Sequence, residues 1–105
     1  MRLQSLLLAI LLAIAGHAVA DPLEAALAAY EAGDMATAAK GFEALSAQRL
    51  PVADYNLAMM HLRAELPKPS VQEAKRLLER AAAQNFVSAE MALGQMHEQG
   101  LLGKP

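Results

Sequence analysis

Two hydrophobic patterns divide this chain. Leu6 to Ala15 is an unbroken apolar run without a charge. From Asp21 onward, apolar residues recur instead at spacings of three and four, with charged and amide side chains between them. Ala53, Leu57, Met60, His61 and Ala64 form one such stripe, and Tyr55, Ala58 and Leu62 form a second row beside it. This spacing puts side chains on common faces of an α-helix, and two rows suit a helix packed between neighbours. No stretch alternates apolar with polar residues as a half-buried strand would. After residue 20 only Thr37, Val52, Val71 and Val87 are β-branched. Alanine, leucine, methionine and glutamate are abundant there, and these side chains lose little rotamer freedom in a helix. The pattern predicts an all-α fold.

Starting and stopping residues cut this region into five helices. Asp21-Pro22-Leu23-Glu24 opens the first, with Asp as cap, Pro at the first helical position and Glu in the first turn. Gly33 closes it, because glycine accepts the left-handed conformation that follows a helix. Asp34 caps a second helix over roughly Met35 to Gln48, and Leu50-Pro51 breaks the chain. A third spans about Val52 to Ala64, and Pro67-Lys68-Pro69 forbids its continuation. Ser70-Val71-Gln72-Glu73 has the form of a capping box, in which serine and glutamate satisfy each other's backbone donors. The fourth helix runs from there to near Asn85, and the fifth from about Val87 to Gln99, stopping at Gly100. Connections this short imply antiparallel neighbours.

The chain also repeats itself. Residues 38–69, shifted by 36, fall on residues 74–105 with eleven of thirty-two positions identical and no gap. The identities include Glu43/Glu79, Gln48/Gln84, Leu57/Leu93, Met60/Met96, His61/His97 and Lys68/Lys104. An alanine-rich chain produces Ala/Ala coincidences, but not paired His, Met and Lys-x-Pro in one frame. A period of this length built from two helices is the mark of a helical solenoid.

Ala53-Asp54-Tyr55-Asn56-Leu57-Ala58-Met59-Met60-His61 resembles the first helix of a Sel-one-like repeat, a relative of the tetratricopeptide repeat, which typically reads A-x-x-x-L-G-x-M-Y. Glu73 to Ala82 is similar to its second helix, with a small residue, two bulky ones and a pair of alanines. Ala89 to Gly100 begins another copy, with Leu93, Gly94 and Met96 in the expected places. The opening segment, Ala29 through Phe42, has a shorter loop closer to the tetratricopeptide form. Histidine stands for the usual tyrosine at 61 and 97, and Ala64 for a glycine. The resemblance implies an α–α superhelix of antiparallel helix pairs, about two and a half repeats over residues 21–105.

The apolar run at the start has another meaning. Met1-Arg2 gives a positive beginning, and Ala18-Val19-Ala20 has the small-x-small form that signal peptidase reads. The run is about half of the roughly twenty residues that span a bilayer. Residues 1–20 are therefore expected to be a cleaved signal peptide, leaving no membrane span. The exported chain is periplasmic by default, with secretion beyond the envelope as an alternative. Loss of Arg2 leaves eight of the nine Lys/Arg against eleven Asp/Glu, a net charge of −3. These charges are scattered, with no basic run to follow a phosphate backbone, so nucleic acid is not an expected partner. There is no cysteine, which removes disulfides, thiol chemistry and lipid attachment at a cysteine. Stability must come from helix packing.

Enzymatic chemistry finds no foothold. Ser46, Ser70 and Ser88 lack a Ser-x-x-Lys or Gly-x-Ser-x-Gly setting. No glycine-rich phosphate loop exists, and the carboxylates are spread along helix faces, often near Lys or Arg, as on solvated surfaces. Neither a catalytic residue nor a cofactor is expected. Met60-His61 and Met96-His97 lie one period apart, and thioethers with imidazole suit copper. A small metal-handling protein is thus the alternative. Against it, methionine often simply fills cores, and helices about 10 Å apart are too distant for one ion.

Outside the two apolar rows, Asn56, Met59 and Arg63 share the remaining face of the third helix, and their 36-shifted counterparts are Ala92, Gln95 and Gln99. First helices of Sel-one-like repeats line a concave surface where peptide segments dock. The resemblance therefore implies partner contacts at Asn56, Met59, Arg63, Gln95 and Gln99. The expected function is a protein–protein interaction module or scaffold of the bacterial cell envelope, with an accessory subunit of an envelope enzyme as a further alternative. After Gly100 comes only Leu101-Leu102-Gly103-Lys104-Pro105, half a repeat short of a final cap. The fifth helix is expected to expose part of an apolar side, including some of Met91, Leu93 and Met96. Self-association, a docked partner or a truncated reading frame would each follow from that.

Overall fold

Four of the five helices begin where the sequence supplies a capping side chain or a proline. The computed structural model describes residues 21–103; the expected signal peptide at residues 1–20 lies outside the described residues. Among these residues the helices are α1 (Pro22–Glu31), α2 (Met35–Ala47), α3 (Pro51–Leu62), α4 (Val71–Ala82) and α5 (Val87–Glu98), with no strand. The all-α class expected from the spacing is what forms. Asp21 accepts from the Leu23 N–H at 2.8 Å, Asp34 from the Thr37 N–H at 3.2 Å, and Ser70 from the Glu73 N–H at 3.1 Å. Each such cap contributes about 1 kcal/mol. Pro51 opens α3 at a position where its missing N–H has no partner to lose.

The capping box at Ser70 is only half made. The Ser70 N–H donates to His61 Nδ1 at 3.0 Å, not to Glu73. The Glu73 carboxylate is engaged by Arg76 one turn along α4, where a charge-assisted bond outcompetes a neutral backbone donor.

All five helices close in the same way. A residue in the left-handed region follows each: Gly33, Arg49, Ala64, Asn85 and Gly100. The next N–H then reaches back five residues, as from Asp34 to Ala29, Leu50 to Leu45, Glu65 to Met60, Phe86 to Ala81 and Leu101 to Met96. This Schellman arrangement satisfies carbonyls that the helix end leaves free. It also ends α3 at Leu62 and α4 at Ala82, two and three residues before the ends expected at Ala64 and Asn85.

The principal packing is between helices adjacent in the chain: α1 on α2, α2 on α3, α3 on α4, and α4 on α5. Small residues set the distances. Ala38, Ala53, Ala58, Ala74, Ala81 and Ala89 are fully buried, and Phe42, Leu77, Leu78, Met60 and Met96 fill the space between them. At Gly41 a Cβ would lie 2.8 Å from Cβ of Ala26, so the backbone of α2 rests there on the Ala26 methyl of α1. The 36-residue spacing recurs in the backbone. It separates both ends of α3 from those of α5, the start of α2 from that of α4, Arg49 from Asn85, and Ala64 from Gly100.

One carboxylate departs from the solvated faces expected for all of them. Asp54 has no exposed surface. Arg80 of α4 donates to both its oxygens, at 2.6 and 2.9 Å, and Ser46 of α2 donates its hydroxyl at 2.5 Å. Arg80 also reaches the Ser46 carbonyl at 2.9 Å. Three helices thus meet on one buried charge. Its position places it beside Leu57 and Ala58 on a packed face, which local charge spacing does not register.

Candidate functional site

Between α3 and α5 lies a groove of about 160 Å³ lined by Tyr55, Met59, Ser88, Met91, Ala92 and Gln95. The two helices are not consecutive, since α4 joins them and packs on each. Tyr55 is steadied by Phe86, whose ring lies 5.6 Å away and tilted by 43°. Met59 is half-buried against the core, Ala92 is buried, and Met91 is 63% exposed. The lining is one aromatic ring, two thioethers and a methyl, with a hydroxyl and an amide beside them and no charge. Such a surface accepts an apolar side chain and offers hydrogen bonds to the backbone carrying it.

Of the five residues singled out from the sequence, this groove unites Met59 and Gln95. The other three are placed differently. Asn56 is half-buried, and its amide donates to the Val52 carbonyl at 2.7 Å, one turn back in its own helix. Arg63 follows the last turn of α3 and donates to the Tyr30 hydroxyl at 3.0 Å, while that hydroxyl donates to the Glu65 carboxylate at 2.8 Å. Gln99 is exposed at the C-terminal end of α5. Ala92, the counterpart of Asn56, is buried and not on a free face. Tyr55 and Ser88 were not singled out as contacts, and Met91 was expected only as an exposed apolar residue of the fifth helix, which it is. Tyr55 and Met91 precede Met59 and Gln95 by one turn and are 36 residues apart, so the repeat register contained them.

The Met-His pairs divide between core and surface. Met60 and Met96 are 1% and 2% exposed and belong to the hydrophobic core. His61 is half-buried with Nδ1 accepting from the Ser70 N–H, and His97 is exposed. Copper binding through both pairs would require drawing two thioethers out of packed apolar surroundings. No group of three or more His, Cys, Asp or Glu side chains that could hold a metal ion occurs among the described residues.

His61 also borders a wider hollow of about 420 Å³ against α2, with Ala36, Ala39, Lys40 and Glu43 on one side and Leu66, Pro67 and Lys68 on the other. Ionisable groups respond to their immediate partners. The Thr37 hydrogen bonds hold the Asp34 carboxyl below its ordinary value, and Arg76 does the same for Glu73, chiefly by hydrogen bonding. Asp54 raises Arg80. None of these groups lies in the α3–α5 groove, whose chemistry is that of contact and hydrogen bonding. No helix among the described residues is long and apolar enough to cross a membrane. No protein-family model, curated protein or solved structure matches this chain.

Proposed function

We propose that this chain is a non-catalytic helical-repeat module of the bacterial cell envelope, a solenoid that binds an extended segment of a partner protein in the groove between α3 and α5. The observation carrying this reading is that Met59 and Gln95, one period apart in sequence, line a single uncharged groove with Tyr55 and Met91. Packing of each helix on its chain neighbours, with the backbone spacing of 36 residues, supports the repeat architecture. The groove is smaller than the roughly 300 Å³ at which small-molecule pockets begin, which favours one anchoring side chain of a peptide. Export rests on residues 1–20, and Asp21 is the N-terminal residue expected of the protein recovered from the periplasm; an intact Met1 there would contradict it.

Affinity capture from envelope extract tests the binding reading. The unaltered full chain is compared with Met59→Glu and Gln95→Arg, and with Glu24→Ala on exposed α1 as control. Loss of an anchoring contact at an interface centre weakens binding by about tenfold or more, so the captured partner is expected to vanish with both groove variants and persist with the control. Equal retention by all four chains refutes the groove.

A further inference from the structure

One side of α5 is left uncovered by the described residues. Val87 and Met91 are 62% and 63% exposed, the highest values among the large apolar side chains, and Glu90, Gly94 and His97 are exposed beside them. Val87, Met91, Gly94 and Glu98 follow one another at spacings of four, three and four, so they lie along a single face.

The 36-residue register shows what such a face meets. The counterparts of Glu90, Met91 and Gly94 are Asp54, Tyr55 and Ala58 of α3, and that side of α3 is occupied. Asp54 and Ala58 are wholly buried, and Asp54 receives both bonds from Arg80 of α4. Tyr55 packs against Phe86 just beyond α4. On α5 the acid is kept as Glu90, the large apolar residue as Met91, and the small residue is reduced to Gly94, where an added Cβ would meet nothing within 4 Å. The face therefore retains the features that α4 engages on α3: an acid for a guanidinium, a point of close approach, and an apolar flank.

A second copy stacked end to end is a poor occupant. It would bring α1, which contains Glu24 and Glu31 and no basic residue, toward Glu90 and Glu98. Like charges set face to face oppose association.

We propose that this face of α5 docks an amphipathic helix of another protein, one that presents an arginine to Glu90 and small and leucine side chains to Gly94 and Met91. The register is the one α4 adopts on α3. The surface is distinct from the α3–α5 groove, with Met91 at their common edge, so either can fail while the other stands.

The probe is a synthetic peptide with the sequence of residues 70–85, which carries the α4 chemistry, titrated into the isotopically labelled full chain. Saturable shifts confined to amides of α5 are expected. Glu90→Lys should weaken binding about tenfold, and a peptide with Arg80→Glu should restore it on that variant. Gly94→Leu, which fills the point of close approach, should abolish it. Unchanged helical circular dichroism verifies that both variants remain folded. The proposal is overturned if the peptide causes no shifts, if it shifts α3 by displacing the chain's own α4, or if the charge swap fails to compensate. Sedimentation showing a dimer that Glu90→Lys dissolves would assign the face to a second copy and overturn it as well.

Discussion

Asp54 is the residue on which most depends. A carboxylate removed from water is tolerated only when its oxygens are fully engaged. Arg80 and Ser46 do this from helices on either side of α3. Arg80→Ala would leave the charge buried without its cation, and urea denaturation is expected to show a loss of about 3 kcal/mol. Replacing Asp54 and Arg80 together with leucine should recover most of that loss, since an apolar pair has no charge to desolvate. A double variant no more stable than Arg80→Ala would contradict this account. Little of the arrangement was legible in the sequence. Asp54 and Arg80 are 26 residues apart, and no local period links them. Met59 and Gln95 were legible because the repeat register equates them. For Asn56 and Arg63 the face was legible and the bonding was not, because helical spacing says nothing about an amide bonding to its own turn, or a guanidinium reaching Tyr30.

At the scale of the helices, starts were easier to read than ends. Aspartate, serine and proline mark starts by side-chain chemistry, and α1 to α4 begin within a residue of where they were expected. Ends are set by a left-handed residue, which glycine announces and other residues do not. Gly33 and Gly100 were therefore recognised, whereas Arg49, Ala64 and Asn85 were not. Asparagine tolerates this conformation; alanine does so at a penalty of about 1 kcal/mol. Ala64→Gly is thus expected to stabilise the protein by up to about 1 kcal/mol, less the added freedom of the unfolded chain. Gly100, at the equivalent position, already has the favoured residue. Thermal unfolding decides the matter, and a lowered midpoint would mean that the Ala64 methyl makes contacts outweighing its strain.

Across the whole molecule, each helix rests chiefly on the ones before and after it, and α2 resembles α4 as α3 resembles α5. Interchangeable parts invite misassembly. If α2 took the place of α4 against α3, Ala44 would stand where Arg80 belongs, and Asp54 would be buried bare. A misplaced α2 would therefore carry the penalty of an unpaired buried carboxylate, which favours the observed order of helices. This predicts that the chain with leucine at both 54 and 80, although stable, gives more than one set of amide resonances, where the unaltered chain gives one. A single set from both would leave the triad without that role. What the ion pair supplies, on this reading, is fidelity: of two helices that resemble each other, only α4 carries an arginine to Asp54.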